Sequence, residues 1–329
     1  MPMIVRPLQF LIAIALLFVA APSFAQPAAK WPDRPVKLIV PVGAGGAADT
    51  LARNLSNGFS QFANGQPLVV ENRPGAGGTL AAAQVALEKP DGYVLLLAEI
   101  GANAAAHALQ SKLSYDPQTA FTPVIHVANL PTVVLMRPTL PYKTLADLIA
   151  AAKQQPGKFN YASAGIGNWT HLFMAYLNSR AGVEMVNVPY RSGAEMTTSL
   201  LRGDADVAAV SVSTSMPFIK EGKVRALAGF PAKQIPELAD TPPATQSLRG
   251  FSIDLWHGVV APAGMDPALV SHINAIFNKV LELPAVRTAI SQAQAAEVVG
   301  GSPKQFDDLI KAELKRWPEL IKSAGIKLD

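Results

Sequence analysis

Lys37-Leu-Ile-Val-Pro-Val42 runs directly into Gly43-Ala-Gly-Gly-Ala-Ala-Asp49, and then into an apolar-periodic stretch over residues 50–61. The first string is an almost unbroken apolar run, the mark of a strand covered on both faces. The second is a glycine-rich turn. The third spaces its apolar residues at helical intervals. The unit is strand, loop, helix. A helix start leaves its first N–H groups without partners and carries the positive end of the helix dipole, so the loop suits a small anion. Gly45, Gly46 and Ala47 supply the backbone donors. Asp49 falls in the first helical turn, either as a cap or, turned inward, as the side chain that orders the loop.

The same alternation continues along the chain. Strands are predicted at 37–42, 68–71, 93–98, 124–128, 132–137, 159–162, 186–188, 206–210 and 224–228. Helices lie between them, among them 145–154, which Thr144 and Asp147 open as a capping box. Such βα alternation predicts an α/β protein in which helices flank mainly parallel sheets. Residues 250–260 read as a return into the first half. Segments 266–283 and 303–324 are amphipathic helices with no new sheet after them. The first domain is therefore discontinuous, 26–130 plus 251–329, with 131–250 as the second.

A second glycine loop, Ser163-Ala-Gly165-Ile-Gly167-Asn168-Trp169-Thr170, follows the strand at 159–162 and precedes a helix. It offers the same donors from the other domain. Two such loops form opposing walls of an interdomain cleft, where ligand sites concentrate. Glu99-Ile-Gly101-Ala-Asn103 is a third loop of this kind, and Ser211 follows the strand at 206–210.

Gly43 to Ala48 also matches G-x-G-x-x-A, with Glu71 near the distance expected of a ribose-binding carboxylate. The N-terminus argues against a dinucleotide. Arg6 opens a short basic region, residues 8–21 are apolar but for Gln9, and Ser23-Phe-Ala25 is a small-x-small cleavage site. This reads as a secretory leader over residues 1–25, cleaved near Ala25, which places the protein where no sizeable nucleotide pool exists. Of 329 residues, removal of those 25 leaves 304, enough for two domains. The chain has no cysteine, which excludes a lipoprotein anchor, disulfides, thiol catalysis and thiolate metal sites. The net charge is +4, with lysines and arginines scattered, so no nucleic-acid footprint is present. Five histidines show no metal-ligand spacing, and no G-x-S-x-G elbow marks a hydrolase. No catalytic residue, metal ligand or cofactor is assigned.

Further strings carry a family likeness. Trp31-Pro-Asp-Arg-Pro-Val-Lys-Leu-Ile-Val-Pro41, Val70-Glu-Asn-Arg-Pro-Gly-Ala-Gly-Gly78, Pro90-Asp-Gly-Tyr93, Asn160-Tyr-Ala-Ser-Ala-Gly165, Val188-Pro-Tyr190, Ala261-Pro-Ala-Gly264 and Val299-Gly-Gly-Ser-Pro303 stand in order along the mature chain. Their sum resembles the Bug-type solute receptors of tripartite tricarboxylate transporters. The resemblance implies a two-domain periplasmic binding protein of the Venus-flytrap, type II-like kind. It also implies no catalysis, and delivery of a small organic carboxylate, aromatic or aliphatic, to membrane permease subunits. Ligand contacts would come from Gly45, Gly46, Ala47 and Asp49, from Glu99 and Gly101, from Ser163, Gly165, Gly167, Asn168, Trp169 and Thr170, and from Tyr190 and Ser211. A monomer is expected. The alternative is an exported oxidoreductase or hydrolase that uses the Gly43–Ala48 loop for a nucleotide or anionic substrate.

The chain departs from the family pattern at Val210, where a carboxylate is common, and at Ile100 and Trp169, where small hydroxyl residues are common. These changes make the cleft more apolar. Trp169 either stacks on a ligand ring or packs under its own loop. Glu99 turns to solvent, pairs with a nearby Lys or Arg, or meets an ammonium or protonated group of the ligand. Arg73 reads as an inter-loop anchor, and Arg191 as a side-chain candidate for an ion pair.

Overall fold

The computed structural model describes residues 31–110 and 112–326; the leader expected over residues 1–25 lies outside them. The opening apolar run becomes β1 (Val36–Val40), followed by α1 (Ala47–Phe59), β2 (Leu68–Asn72), α2 (Thr79–Ala86), β3 (Val94–Ala98), a single π turn (Gly101–Ala105), the short α3 (Ala106–Leu109) and β4 (Phe121–Leu130). Past Pro131 come β5 (Thr132–Met136), α4 (Leu145–Gln154), β6 (Asn160–Ser163), α5 (Trp169–Ala181), β7 (Val186–Pro189), α6 (Gly193–Arg202), β8 (Val207–Ser211), α7 (Val212–Lys220) and β9 (Arg225–Gly229). The chain then returns as β10 (Leu255–Pro262) and ends in α8 (Pro267–Glu282), α9 (Pro284–Thr288), β11 (Glu297–Val298) and α10 (Pro303–Ala324).

The strands form two sheets, ordered β11-β4-β10-β3-β1-β2 and β7-β6-β8-β5-β9. Both are mixed, which corrects the mainly parallel sheets expected from sequence. Strands joined by a crossover helix are parallel, as β1 is to β2 and β3, and β6 to β7 and β8. The antiparallel pairs arise where the chain travels between the two halves. β4 leaves the first sheet and β10 re-enters it in the opposite sense, pairing from Leu255 opposite Leu130 to Pro262 opposite Phe121. β10 also pairs antiparallel with β3, so the returning strand sits in the middle of the sheet. β5 enters the second sheet antiparallel to β8 and β9. The C-terminal segment, expected to hold helices only, adds β11, two residues against the free edge of β4.

The helical tail ties the two halves together. α10 begins with a capping box at Ser302 and Gln305, and its apolar face packs inward. Trp317 is fully buried and stacks on Phe173 of α5, ring centroids 6.1 Å apart. Its indole N–H donates to Glu313 at 2.8 Å, and Trp256 of β10 donates to the same oxygen at 3.4 Å. Glu313 is buried, and Arg316 pairs with its other oxygen at 3.2 Å, so the charge is compensated.

Every residue of β10 is buried, and Gly258 lies where α10 crosses it. A Cβ there would fall 2.1 Å from the Phe306 ring and 2.6 Å from the Ile125 carbonyl oxygen. Gly258→Ala is therefore expected to overpack this crossing and cost roughly 1–3 kcal/mol of stability. A urea unfolding midpoint unchanged from wild type would show that the crossing can relax.

Candidate functional site

Four helices of eight residues or more, α1, α5, α6 and α7, begin at one place between the sheets. Their first residues, Ala47, Trp169, Gly193 and Val212, sit in or beside the wall of an inner chamber of about 40 Å³. Gly46, Ala48, Thr170, Ser211 and Thr214 complete the helix starts, and no lysine, arginine, aspartate or glutamate lines the chamber. Positive dipole ends meet here without a formal charge; α1 and α7 start without a side-chain cap, while Asn168 and Ser192 cap α5 and α6.

The first wall is built by the glycine loop. Gly45 holds φ +82°, open to glycine at little cost, and Gly46 is an extended N-cap with no side chain of its own. Asp49 is buried and is not the cap. It turns inward, accepts from the Gly45 N–H at 3.0 Å and from Asn72 at 3.0 Å, and pairs with Arg53 at 3.0 Å. Burial alone would raise its pKa, but these partners outweigh it and hold the carboxylate below its ordinary range. Its role is to fix the loop. Glu71, the carboxylate of the dinucleotide pattern, is taken by Lys37 at 2.8 Å and Arg73 at 2.7 Å. Arg73, read from sequence as an inter-loop anchor, instead bonds Glu71 of β2 and Gln84 of α2.

The second wall is the loop before α5, with Gly165 at φ +106° and Gly167 at φ +81°. Asn168 caps the helix through Thr170 N–H at 3.1 Å. Thr170 Oγ1 in turn accepts from the Ala164 N–H at 2.7 Å. Trp169 lies edge-on to Phe173, ring centroids 5.2 Å apart, and lines the chamber. His171 bonds locally, its Nδ1 accepting from Gly167 at 3.4 Å, and burial pushes its pKa down to about 4. Gly165 and Tyr190 line a wider outer chamber of about 400 Å³, together with Arg191 and the turn from Pro74 to Gly78. The two chambers share Val42 and Ala164. Ser163 is buried behind this wall, its carbonyl accepting from the Tyr190 N–H at 2.6 Å.

The third loop is not a chamber wall. Its residues form the seam where the two halves touch. A Cβ on Gly101 would stand 2.8 Å from the Gly167 carbonyl oxygen and 3.1 Å from that of Gly77. Ile100, expected in the cleft, is wholly buried in the core instead. Glu99 neither faces solvent nor pairs with a basic residue. It is 1% exposed, and one carboxyl oxygen accepts from the Asn168 side-chain amide at 2.9 Å across the seam. The other oxygen has no partner among the described residues. Burial pushes its pKa up to about 8, against the smaller opposing pull of Asn168.

Sequence reasoning missed Gly193 and Thr214, which open helices that lack a glycine-rich loop. It also missed His257. This histidine sits in β10, lines the inner chamber, is 1% exposed, and has no partner for either ring nitrogen among the described residues. The one available signal was a lone imidazole in an otherwise apolar, fully buried strand. Among the described residues no cluster of three or more His, Cys, Asp or Glu could hold a metal ion.

Two α/β halves around a cleft whose inner chamber is lined by helix starts and no charged side chain define a bilobal solute-binding protein. The chain belongs to the tripartite tricarboxylate transporter receptor family, whose model, described as "Tripartite tricarboxylate transporter family receptor", matches residues 51–326. It is 34% identical over 315 residues to a Pseudomonas protein of the tcbD–tcbE intergenic region, covering 95% of this chain and 93% of that one. It is 32% identical over 329 residues to protein BugT of Bordetella pertussis, with 97% and 98% covered. Among solved structures, periplasmic binding protein BugD matches at TM-score 0.85 and 33% identity over 90% of this chain and 99% of that one. Rpa4515 of R. palustris, solved with adipate, matches equally well, with TM-score 0.85, 33% identity and the same coverage. MatC of Rhodopseudomonas palustris, solved with malate, matches at 0.84 and 32% over 88% and 100%.

The seam generates two predictions. An acid whose pKa is raised in the folded state adds stability that is complete below its ordinary pKa of 4.5 and is lost as pH rises through about 8. The melting temperature of wild type relative to Glu99→Gln should therefore fall steadily between pH 5 and pH 9. A constant difference would mean that Glu99 ionises without penalty. Gly101→Ala should lower the melting temperature of the unliganded protein by several degrees and weaken ligand binding about tenfold or more, because the new methyl group would stand 2.8 Å from the Gly167 carbonyl oxygen across the seam. Equal affinity by calorimetry would rule out this contact as part of the bound state.

Proposed function

We propose that the protein is a periplasmic receptor that captures a small organic carboxylate between its two domains and hands it to the permease subunits of a tripartite tricarboxylate-type transporter. The observation that carries this reading is the convergence of four helix N-termini on a chamber without a charged side chain. A carboxylate is the common biological anion that such donors hold without a counter-charge. The relatives solved with adipate and malate support the same class. On this reading Gly46, Ala47, Asn168, Trp169, Thr170 and Ser211 meet the carboxylate directly. Gly165 and Tyr190 meet the rest of the ligand, while Gly45, Asp49, Glu99, Gly101, Ser163 and Gly167 shape and close the site. The protein binds and releases without chemistry, acts as a monomer, and matures by cleavage near Ala25. Its domains are 26–130 with 251–329, and 131–250.

The two chambers favour an aliphatic ligand over an aromatic one. An apolar cavity that admits benzene measures about 150 Å³, whereas the inner chamber offers about 40 Å³ and Trp169 is already engaged by Phe173. A linear acid fits better, with one carboxylate inside and a chain reaching the outer chamber beside Arg191.

A thermal-shift screen of the mature protein against mono-, di- and tricarboxylates, aromatic acids and NAD tests this. A ligand at about 100 times its dissociation constant adds about 2.7 kcal/mol, a shift of several degrees. Linear dicarboxylates are expected to give it and to be recovered unaltered. A shift with NAD alone, or consumption of the ligand, would instead support an exported enzyme.

A further inference from the structure

We propose that His257 is the specificity-determining donor of the inner chamber, directing one ring N–H at the ligand's carboxylate. This rests on the carboxylate reading above and names a residue that reading does not require. The argument starts from an energetic anomaly. His257 is 1% exposed, and neither ring nitrogen finds a partner among the described residues. An imidazole buried without hydrogen bonds destabilises a fold, and an apolar side chain of similar size would serve β10 better. Every other side chain of that strand from Leu255 to Pro262 is apolar or, in Trp256, finds an acceptor in Glu313. A polar group that the fold leaves unpaired is retained where something else uses it.

Its position says what that is. His257 shares the chamber wall with Ala47 and Ala48 of α1 and with Asn168 and Thr170 at the start of α5. Any anion drawn to those helix starts lies beside the imidazole. Burial, reinforced by the neighbouring His126, pushes the His257 pKa down to about 3, so the ring is neutral at ordinary pH. A neutral ring has one donor nitrogen and one acceptor nitrogen. It therefore adds a directional hydrogen bond to the nonspecific pull of the helix dipoles, again without a formal charge. The inner chamber would accept an unbranched carboxylate whose oxygen can reach that N–H, and would discriminate against an acid whose bulk near the carboxylate keeps it out.

The test uses two variants of the full mature protein and three probes, succinate, malate and adipate. His257→Leu removes both nitrogens at similar volume; His257→Gln keeps a donor. If the proposal holds, His257→Leu raises the melting temperature of the unliganded protein, or leaves it unchanged, and lowers affinity for the best-binding probe about 10- to 100-fold by calorimetry. His257→Gln recovers part of that loss. In ¹⁵N-histidine-labelled wild type, one ring nitrogen of His257 shifts on saturation with the probe. Unchanged affinity in His257→Leu, or an unshifted ring, overturns the assignment. A fall in stability together with affinity in both variants also overturns it, in favour of a structural role. Wild type that binds none of the three probes overturns the carboxylate reading itself, and the His257 assignment with it.

Discussion

The unpaired N–H groups at a helix start are the constraint on which this structure turns. Every α-helix begins with donors that its own ladder cannot satisfy. Capping side chains, water or ligands satisfy them. Here four helices start at the same buried place, so their donors face one another across a chamber of about 40 Å³. The arrangement follows from topology. In a βαβ unit the helix begins at the carboxyl edge of the preceding strand, and ligands gather at that edge. The two halves present these edges to each other. β1 and α1 supply one wall, while β6 with α5, β7 with α6 and β8 with α7 supply the other. Side chains then need only tune what the backbone has already made.

How much of this was legible in the sequence depended on whether a feature was local. The loops before α1 and α5 were readable because each needs left-handed glycine, at Gly45, Gly165 and Gly167, and those residues mark it. The strands were readable from apolar runs, and most boundaries shifted by only a residue or two, although β4 begins three residues before its expected start. The direction of pairing was not readable. β10 joins its sheet antiparallel because the chain must come back from the other half, and no residue in Leu255–Pro262 records that journey. Glu99 shows the same limit at the site. Its carboxylate was visible, but its partner Asn168 is 69 positions away, so burial and a raised pKa could not be foreseen. The start of α6 at Gly193 was missed for a related reason, whereas Ser211, which precedes α7, was among the residues read as ligand contacts. Ser192 caps α6 through the Glu195 N–H without any glycine-rich turn to mark it.

The seam between the halves explains a second set of glycines. Backbone meets backbone there, with Gly77 and Gly101 on one side and the Ile166–Asn168 segment on the other. A Cβ on Gly77 would stand 2.4 Å from the Ile166 carbonyl oxygen. Their contact therefore depends on what these residues lack. Among the described residues an amide-to-carboxyl hydrogen bond from Asn168 to Glu99 links the two sides of the seam, and burial pushes the pKa of that carboxyl up to about 8, which favours its neutral form. A neutral link can break without separating charges, which suits a cleft that must open as well as close.

The same economy of charge governs affinity. A helix N-terminus stabilises an anion by about 0.3–1 kcal/mol when exposed and up to about 2 kcal/mol when partly buried. Four of them supply at most about 8 kcal/mol, from which the cost of immobilising the ligand must still be subtracted. A buried arginine or lysine at the same place would add attraction, but it would have to be desolvated in the empty receptor and would hold the ligand against release. The inner chamber contains neither; Arg191 stands at the outer one, exposed to solvent. A receptor that must surrender its cargo gains most from donors that are numerous, fixed and individually weak. Helix starts meet that requirement because the fold, not a side-chain rotamer, sets their direction.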